Sequence, residues 1–332
     1  MTDLGFDGRV AVVTGAGGGL GREYALLLAS RGARVVVNDT GGSTAGEGMD
    51  EGPAESVARE IRDLGGEAVA DTHSVATPEG GHGVVHSALD AYGTVDILVN
   101  NAGILRDAPF QDMTAELLDP VLDVHLKGSF FVTQPAWNVM REQGYGRVVN
   151  TTSAAGLLGT ANKSNYGAAK TGLIGLTRVL AAEGRAHGIK VNAVAPIALT
   201  RMLTQSMTRT GAQGKTPERE PERAEQAMTV ERMKSFVDKL DPALVAPAVA
   251  YLAHEDCPVS GEMYTVGAGH VARFFVGRTD GYFNPALSME DVRDHFDEIR
   301  DETRYTVPKD PAEETGRLFR TVSSRTDPGT SQ

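Results

Sequence analysis

The sequence predicts an α/β protein with a doubly wound parallel sheet, one domain over residues 1–270 followed by a C-terminal extension over 271–332. Three observations carry that expectation. Seven short apolar, β-branched runs recur along the chain, helix-like segments separate them, and a glycine-rich turn joins the first run to the first helix.

The runs are "RVAVVTG", "ARVVVND", "EAVADTHSV", "DILVNNAG", "GRVVNTTS", "IKVNAVAP" and "EMYTVGAG". They lack polar alternation, the pattern of strands covered on both faces. Segments such as "GREYALLLASRG", "PAESVAREIRDLGG" and "EGGHGVVHSALDAYG" alternate with them as helices. Right-handed crossovers then produce helices on both sides of a parallel sheet. "TGGSTAGEGMDEGP" reads as a loop after the second strand, and residues 204–228 as a polar insertion, either a lid or exposed surface. Beyond Val271 the alternation stops. "SMEDVRDHFDEIRD" reads as one amphipathic helix, and the extension is expected to pack on the same domain with its last dozen residues flexible.

Composition narrows the function. The 332 residues are 41% hydrophobic and 23% charged, with a formal net charge of −12. An acidic surface disfavours nucleic acid, which needs cationic contacts to phosphate. No apolar run reaches the length of a membrane span, and the opening "MTDLGFDGRVAVVTG" lacks the pattern of a secretory signal. Cys257 is the single cysteine, which rules out an internal disulfide, fits a reducing compartment and reads as a small buried apolar group. The cytoplasm is therefore expected, with no peroxisomal address at "GTSQ", no membrane partner and no metal.

The chemistry lies in four places. In "TGAGGGLG", Gly15, Gly19 and Gly21 allow a tight turn and let a pyrophosphate approach the backbone at a helix N-terminus. Asp39 closes the second strand, where a carboxylate accepts both hydroxyls of an adenosine ribose and repels a 2′-phosphate. Its neighbours Ala16, Gly17, Asn38 and Thr40 supply no cation, so NAD is expected rather than NADP. "NNAG", Asn100 to Gly103, leaves room for a ligand over the sheet edge. Finally, Ser153 ends the fifth strand, and Tyr166 and Lys170 follow one helical turn apart on one face. A free phenol with a pKa of about 10 is a poor base. A neighbouring ammonium would acidify it, letting Tyr166 remove an alcohol proton while hydride leaves the same carbon.

These motifs resemble the short-chain dehydrogenase/reductase family in order and spacing, from Arg9 to Gly269. The resemblance implies a Rossmann-type fold in which Tyr166 is the catalytic base, Lys170 holds the nicotinamide ribose and tunes Tyr166, and Ser153 positions substrate. It implies further NAD contacts at Leu20, Ser74, Val75, Asn101, Ala102 and Gly103, and places Pro196, Ile197 and Thr200 of "VAPIALT" at the carboxamide. Ile197 stands where the family usually has glycine. His125 stands where most of the family has the asparagine of its proton relay, and is counted with the catalytic set. Within the family, "VVVNDTGG", "NNAGILRD", "VHLKGSF" and "YTVGAGHVARF" resemble the (3R)-hydroxyacyl-CoA dehydrogenase domain of peroxisomal multifunctional enzymes of type 2. That domain is also known as type 4 17β-hydroxysteroid dehydrogenase. No hydratase or sterol-carrier segment follows here, so a stand-alone relative is expected.

The resemblance implies an NAD-dependent oxidoreductase acting on a (3R)-3-hydroxyacyl-CoA, possible steroid-derived chains included. A dehydrogenase of free hydroxysteroids, a 3-oxoacyl-carrier-protein reductase and an idle NAD-binding scaffold stay open. Arg201, Arg209 and Lys215 could meet the phosphates of CoA or face water. Homodimers or homotetramers are also implied, with the apolar face of "TGLIGLTRVLAAEG" suited either to pairing or to burial within one chain.

Overall fold

The computed structural model describes residues 4–50, 52–200, 204 and 237–326. It divides into two compact units, Met1–Arg273 and Phe274–Gln332, taken separately below.

In the first unit, β1 (Val10–Thr14), β2 (Arg34–Asn38), β3 (Glu67–Asp71), β4 (Ile97–Asn100), β5 (Gly146–Thr151), β6 (Ile189–Pro196) and β7 (Met263–Gly267) arise from the seven apolar runs. All their mutual pairings are parallel. An eighth strand, β8 (His270–Phe274), completes the order β3-β2-β1-β4-β5-β6-β7-β8. It returns after two residues, Ala268 and Gly269, both at positive φ, and so forms an antiparallel edge hairpin. The sequence misses this strand because "HVARF" carries exposed polar residues where the other runs are apolar.

The helices α1 (Gly19–Ser30), α2 (Gly52–Asp63), α3 (Pro78–Tyr92), α4 (Ala115–Leu122), α5 (Gly128–Gln143), α6 (Ala154–Leu158), α7 (Ser164–Gly184) and α8 (Ala246–Ala253) cover the sheet. Val13, Val35 and Ile97 pack with α1, α2 and α8 residues in one apolar layer. Val12, Val36 and Leu98 pack with α3 and α5 in the other. Side chains alternate between the two sheet faces, so each strand feeds both layers. Fully burying one such Leu or Ile contributes roughly 1.5–3 kcal/mol. Strand order reverses between β1 and β4, the switch point at which open α/β sheets bind ligands. Between α4 and α5 the chain makes a π turn, Asp123–Lys127, and His125 sits inside it. Such turns are frequent at functional sites. Among the described residues no helix is long and apolar enough to cross a membrane.

In the second unit, β9 (Arg278–Thr279) pairs antiparallel with β10 (Tyr305–Thr306). The helix expected over 288–301 is broken into α9 (Met289–Asp294) and α10 (Phe296–Ile299). His295 leaves helical geometry at φ −111°, and its ring stacks on Tyr282 at 3.8 Å. Residues 321–326, expected to be flexible, continue α11 (Pro311–Thr326); 327–332 lie outside the described residues.

Candidate active site

A cleft of about 370 Å³ opens at the C-terminal ends of β1, β2 and β4. Gly15, Gly19, Leu20, Asp39, Ser74, Val75, Asn101, Ala102, Gly103 and Thr200 all line it. Helix α1 begins there with no side-chain cap and no acid in its first turn, which leaves backbone amides for an anion. The glycines leave room that any side chain would fill. A Cβ on Gly15 would lie 2.7 Å from Ala102 Cα, and one on Gly17 2.9 Å from Asp39 Oδ2. Gly21 does not line the cleft; a Cβ there would lie 2.2 Å from Gly15 O, so its task is close packing of α1 against the loop.

Asp39 is held by backbone donors. Gly17 N–H reaches Oδ2 at 2.9 Å and Gly41 N–H reaches Oδ1 at 2.8 Å. Among the described residues that line the cleft there is no Lys or Arg. The loop after β2 contributes Gly42, Ser43, Thr44 and Gly46 to the same wall. It is pinned by Leu105 N–H to Thr44 O at 2.8 Å and by Arg106 Nε to Ala45 O at 2.9 Å. The sequence reads this segment only as a connection. Thr14 is a second residue that sequence reasoning misses: its Oγ1 accepts the N–H groups of Asn101 (3.0 Å) and Ala102 (3.1 Å), fixing the "NNAG" turn.

Ser153 caps α6, its Oγ accepting Ala155 N–H at 3.2 Å, and it hydrogen-bonds to Tyr166. Lys170 is 3% exposed, donates from Nζ to Thr151 O, and lies 5.7 Å from the centre of the Tyr166 ring. The His125 ring meets that of Tyr166 edge to face, centroids 5.2 Å apart. His125 Nε2 lies 2.8 Å from Ile104 O, whereas its buried Nδ1 has no hydrogen-bond partner. Asn165 anchors the start of α7: its Oδ1 accepts Tyr166 N–H at 2.7 Å, and its Nδ2 donates to Arg106 O and Leu117 O at 2.8 Å each. Nothing in the spacing of "NKSNYGAAK" announces that anchor. Pro196 ends β6, and Ile197 N–H donates to Val266 O at 2.8 Å with its side chain 42% exposed; neither lines the cleft.

Burial shifts the charge states of this pocket. The sequence predicts an ammonium at Lys170 that acidifies Tyr166. In the structure, burial brings the Lys170 amine down to about 7. Burial also pushes the Tyr166 phenol above its ordinary value, against the Ser153 hydrogen bond, and Asp107 adds to the rise. His125 falls well below the ordinary imidazole value through burial and the neighbouring Lys170. Withdrawal from water disfavours the charged forms of Lys170, Tyr166 and His125, an effect that spacing cannot reveal.

The sequence pattern described as "short chain dehydrogenase" matches residues 9–211. A short-chain type dehydrogenase/reductase of Mycobacterium tuberculosis is 47% identical over 298 residues, 90% of this chain and 96% of that protein. The peroxisomal multifunctional enzyme type 2 of Mus musculus is 42% identical over 95% of this chain, which spans 40% of the mouse protein. The full-length structure of the same enzyme from Drosophila melanogaster superposes with a TM-score of 0.75 at 36% identity, over 97% of this chain and 50% of the fly chain. With that fold, that cleft and these relatives, the chain belongs to the short-chain dehydrogenase/reductase family and is an oxidoreductase.

Proposed function

We propose that the protein oxidises the secondary alcohol of a (3R)-3-hydroxyacyl-CoA to the ketone, with NAD as hydride acceptor. The observation that carries this reading is the joining of Ser153, Tyr166 and Lys170 in one desolvated pocket beside the glycine-lined cleft. The acyl-CoA class rests on the resemblance of "VVVNDTGG", "NNAGILRD", "VHLKGSF" and "YTVGAGHVARF" to a (3R)-hydroxyacyl-CoA dehydrogenase domain. The insertion 204–228 and the basic residues Arg201, Arg209 and Lys215, where acyl-CoA contacts are expected, lie outside the described residues apart from Thr204.

The residues present suit the dinucleotide. Gly15 and Gly19 take positive φ, the α1 amides face the pyrophosphate position, and the Asp39 carboxylate suits a ribose diol. A 2′-phosphate would meet Asp39 and no cation among the described lining residues, which favours NAD over NADP. Bound in its oxidised form, the nicotinamide supplies the hydride acceptor and a positive charge. Ser153 donates to the substrate oxygen and aligns it. Tyr166, after its own proton has left to solvent, takes the alcohol proton on the phenolate oxygen, and Lys170, protonated from solvent, stabilises that phenolate. His125 stays neutral, its Nε2 held at the Ile104 backbone and its Nδ1 left without a protein partner. Homodimers or homotetramers through long helices, α7 among them, and a cytoplasmic setting belong to the same proposal.

The test is a matrix of NAD and NADP against 3-hydroxybutyryl-CoA, a free 17β-hydroxysteroid and an acyl-carrier-protein substrate, read as nicotinamide reduction. The proposal expects turnover with NAD and the CoA ester. Turnover confined to the free steroid, or a preference for NADP, would replace it.

A further inference from the structure

Two segments meet beside Tyr166: the loop after β4 and the entrance to α7. Ala108 N–H donates to Asn162 O at 3.0 Å, and Ala108 forms a parallel bridge with Lys163. Asn162 turns at φ 65°, a left-handed conformation that asparagine tolerates better than most residues. The bridge lays Asp107 against Lys163, Nζ to Oδ2 3.2 Å, with each side chain only 13% exposed. The other carboxylate oxygen, Asp107 Oδ1, is buried without a hydrogen-bond partner. Lys163 Nζ lies 5.6 Å from the centre of the Tyr166 ring, as near as Lys170 at 5.7 Å.

We propose that Asp107 and Lys163 form a positioning pair that sets the pH at which Tyr166 becomes a base. This rests on the role given to Tyr166 above. The groups that face Tyr166 are Lys170 on its own helix, Lys163 at the helix entrance, Asp107 from the loop after β4, His125 from the π turn and Ser153 from the start of α6. Ser153 carries no charge and buried His125 stays neutral. Asp107 is therefore the anion in this set, and it opposes a phenolate. Lys163 offsets it, holding Oδ2 and placing a cation beside the ring. A pair retained only for structure would be indifferent to the sign of the charge removed. A pair that tunes Tyr166 must respond in opposite directions.

The experiment is kcat/KM against pH for the full-length protein with NAD and 3-hydroxybutyryl-CoA as the probe. Asp107→Asn removes the opposing anion, so the rise in activity moves down by about 0.5–1 pH unit. Lys163→Gln leaves Asp107 uncompensated, so the rise moves up by a similar amount. The double variant returns towards wild type, and Lys163→Arg, which keeps the charge, stays there. Should Lys163→Gln fail to fold, the downward shift in Asp107→Asn and the unmoved Lys163→Arg profile still decide. A rise that stays in place while only its height falls, or shifts of the same sign in both single variants, would overturn the pair's role. Tyr166→Phe run alongside separates the two failures. Near-wild-type turnover in that variant overturns the base assignment itself, whereas an inactive Tyr166→Phe with unmoved profiles overturns only the pair.

Discussion

At the cofactor end of the cleft, geometry is set by backbone and by missing side chains. Gly15, Gly17 and Gly21 each leave space that a Cβ would need within 3 Å of a neighbour, and Asp39 is fixed by two amides. At the catalytic end, geometry is set by ionisable side chains withdrawn from water: Lys170 falls to about 7, and Tyr166 and His125 are held in their neutral forms by burial. The first end works through shape and through one carboxylate fixed by backbone amides. The second works through charge, and its resting state must be changed by what binds.

The largest effect expected from breaking this contrast is at Gly21. Gly21→Ala places a methyl 2.2 Å from Gly15 O and 2.7 Å from Asn101 Nδ2, so the loop must move. Overpacking of this kind costs about 1–3 kcal/mol. NAD affinity, measured by titration calorimetry, should fall by about tenfold or more at every pH. A smaller effect is expected at Asp39. Asp39→Ser removes the anion that opposes a 2′-phosphate, and the ratio of NADP to NAD turnover should rise about tenfold, equivalent to about 1.4 kcal/mol. An unchanged ratio would put discrimination elsewhere.

A third test sharpens the other side. The Lys170 amine binds its proton less tightly in the fold, near 7, than in the unfolded chain, near 10.5. Between those values the unfolded state holds more protons, so folding stability should rise with pH across that window. In Lys170→Met this contribution is absent, and the difference in thermal unfolding between the two proteins should narrow as pH rises through it. A pH-independent difference would mean the amine keeps its ordinary affinity for protons.

The same contrast explains what the sequence discloses. Seven buried strands are legible because "RVAVVTG" and its counterparts must be apolar on both faces. Glycines are legible because a turn and a close approach both forbid a side chain. The residues Ser153, Tyr166 and Lys170 are legible as types at a spacing. Their charge states are not, since desolvation comes from distant parts of the chain packing over them. Asp107 and Lys163 lie far apart in sequence, and only the Ala108 bridge brings them together. Asn165 looks like a spacer until its two carbonyl partners are seen. In the second unit no described residue is buried, so periodicity alone predicts a single helix where the His295 stack on Tyr282 divides it.

Proton removal by Tyr166 is the step on which the proposed activity depends. The most direct measurement compares Tyr166→Phe with wild type, following NAD reduction with 3-hydroxybutyryl-CoA while NAD binding is titrated separately. The predicted result is a fall in kcat of about 10²–10⁴-fold with NAD affinity retained. Turnover close to wild type with a phenyl ring at this position would contradict it.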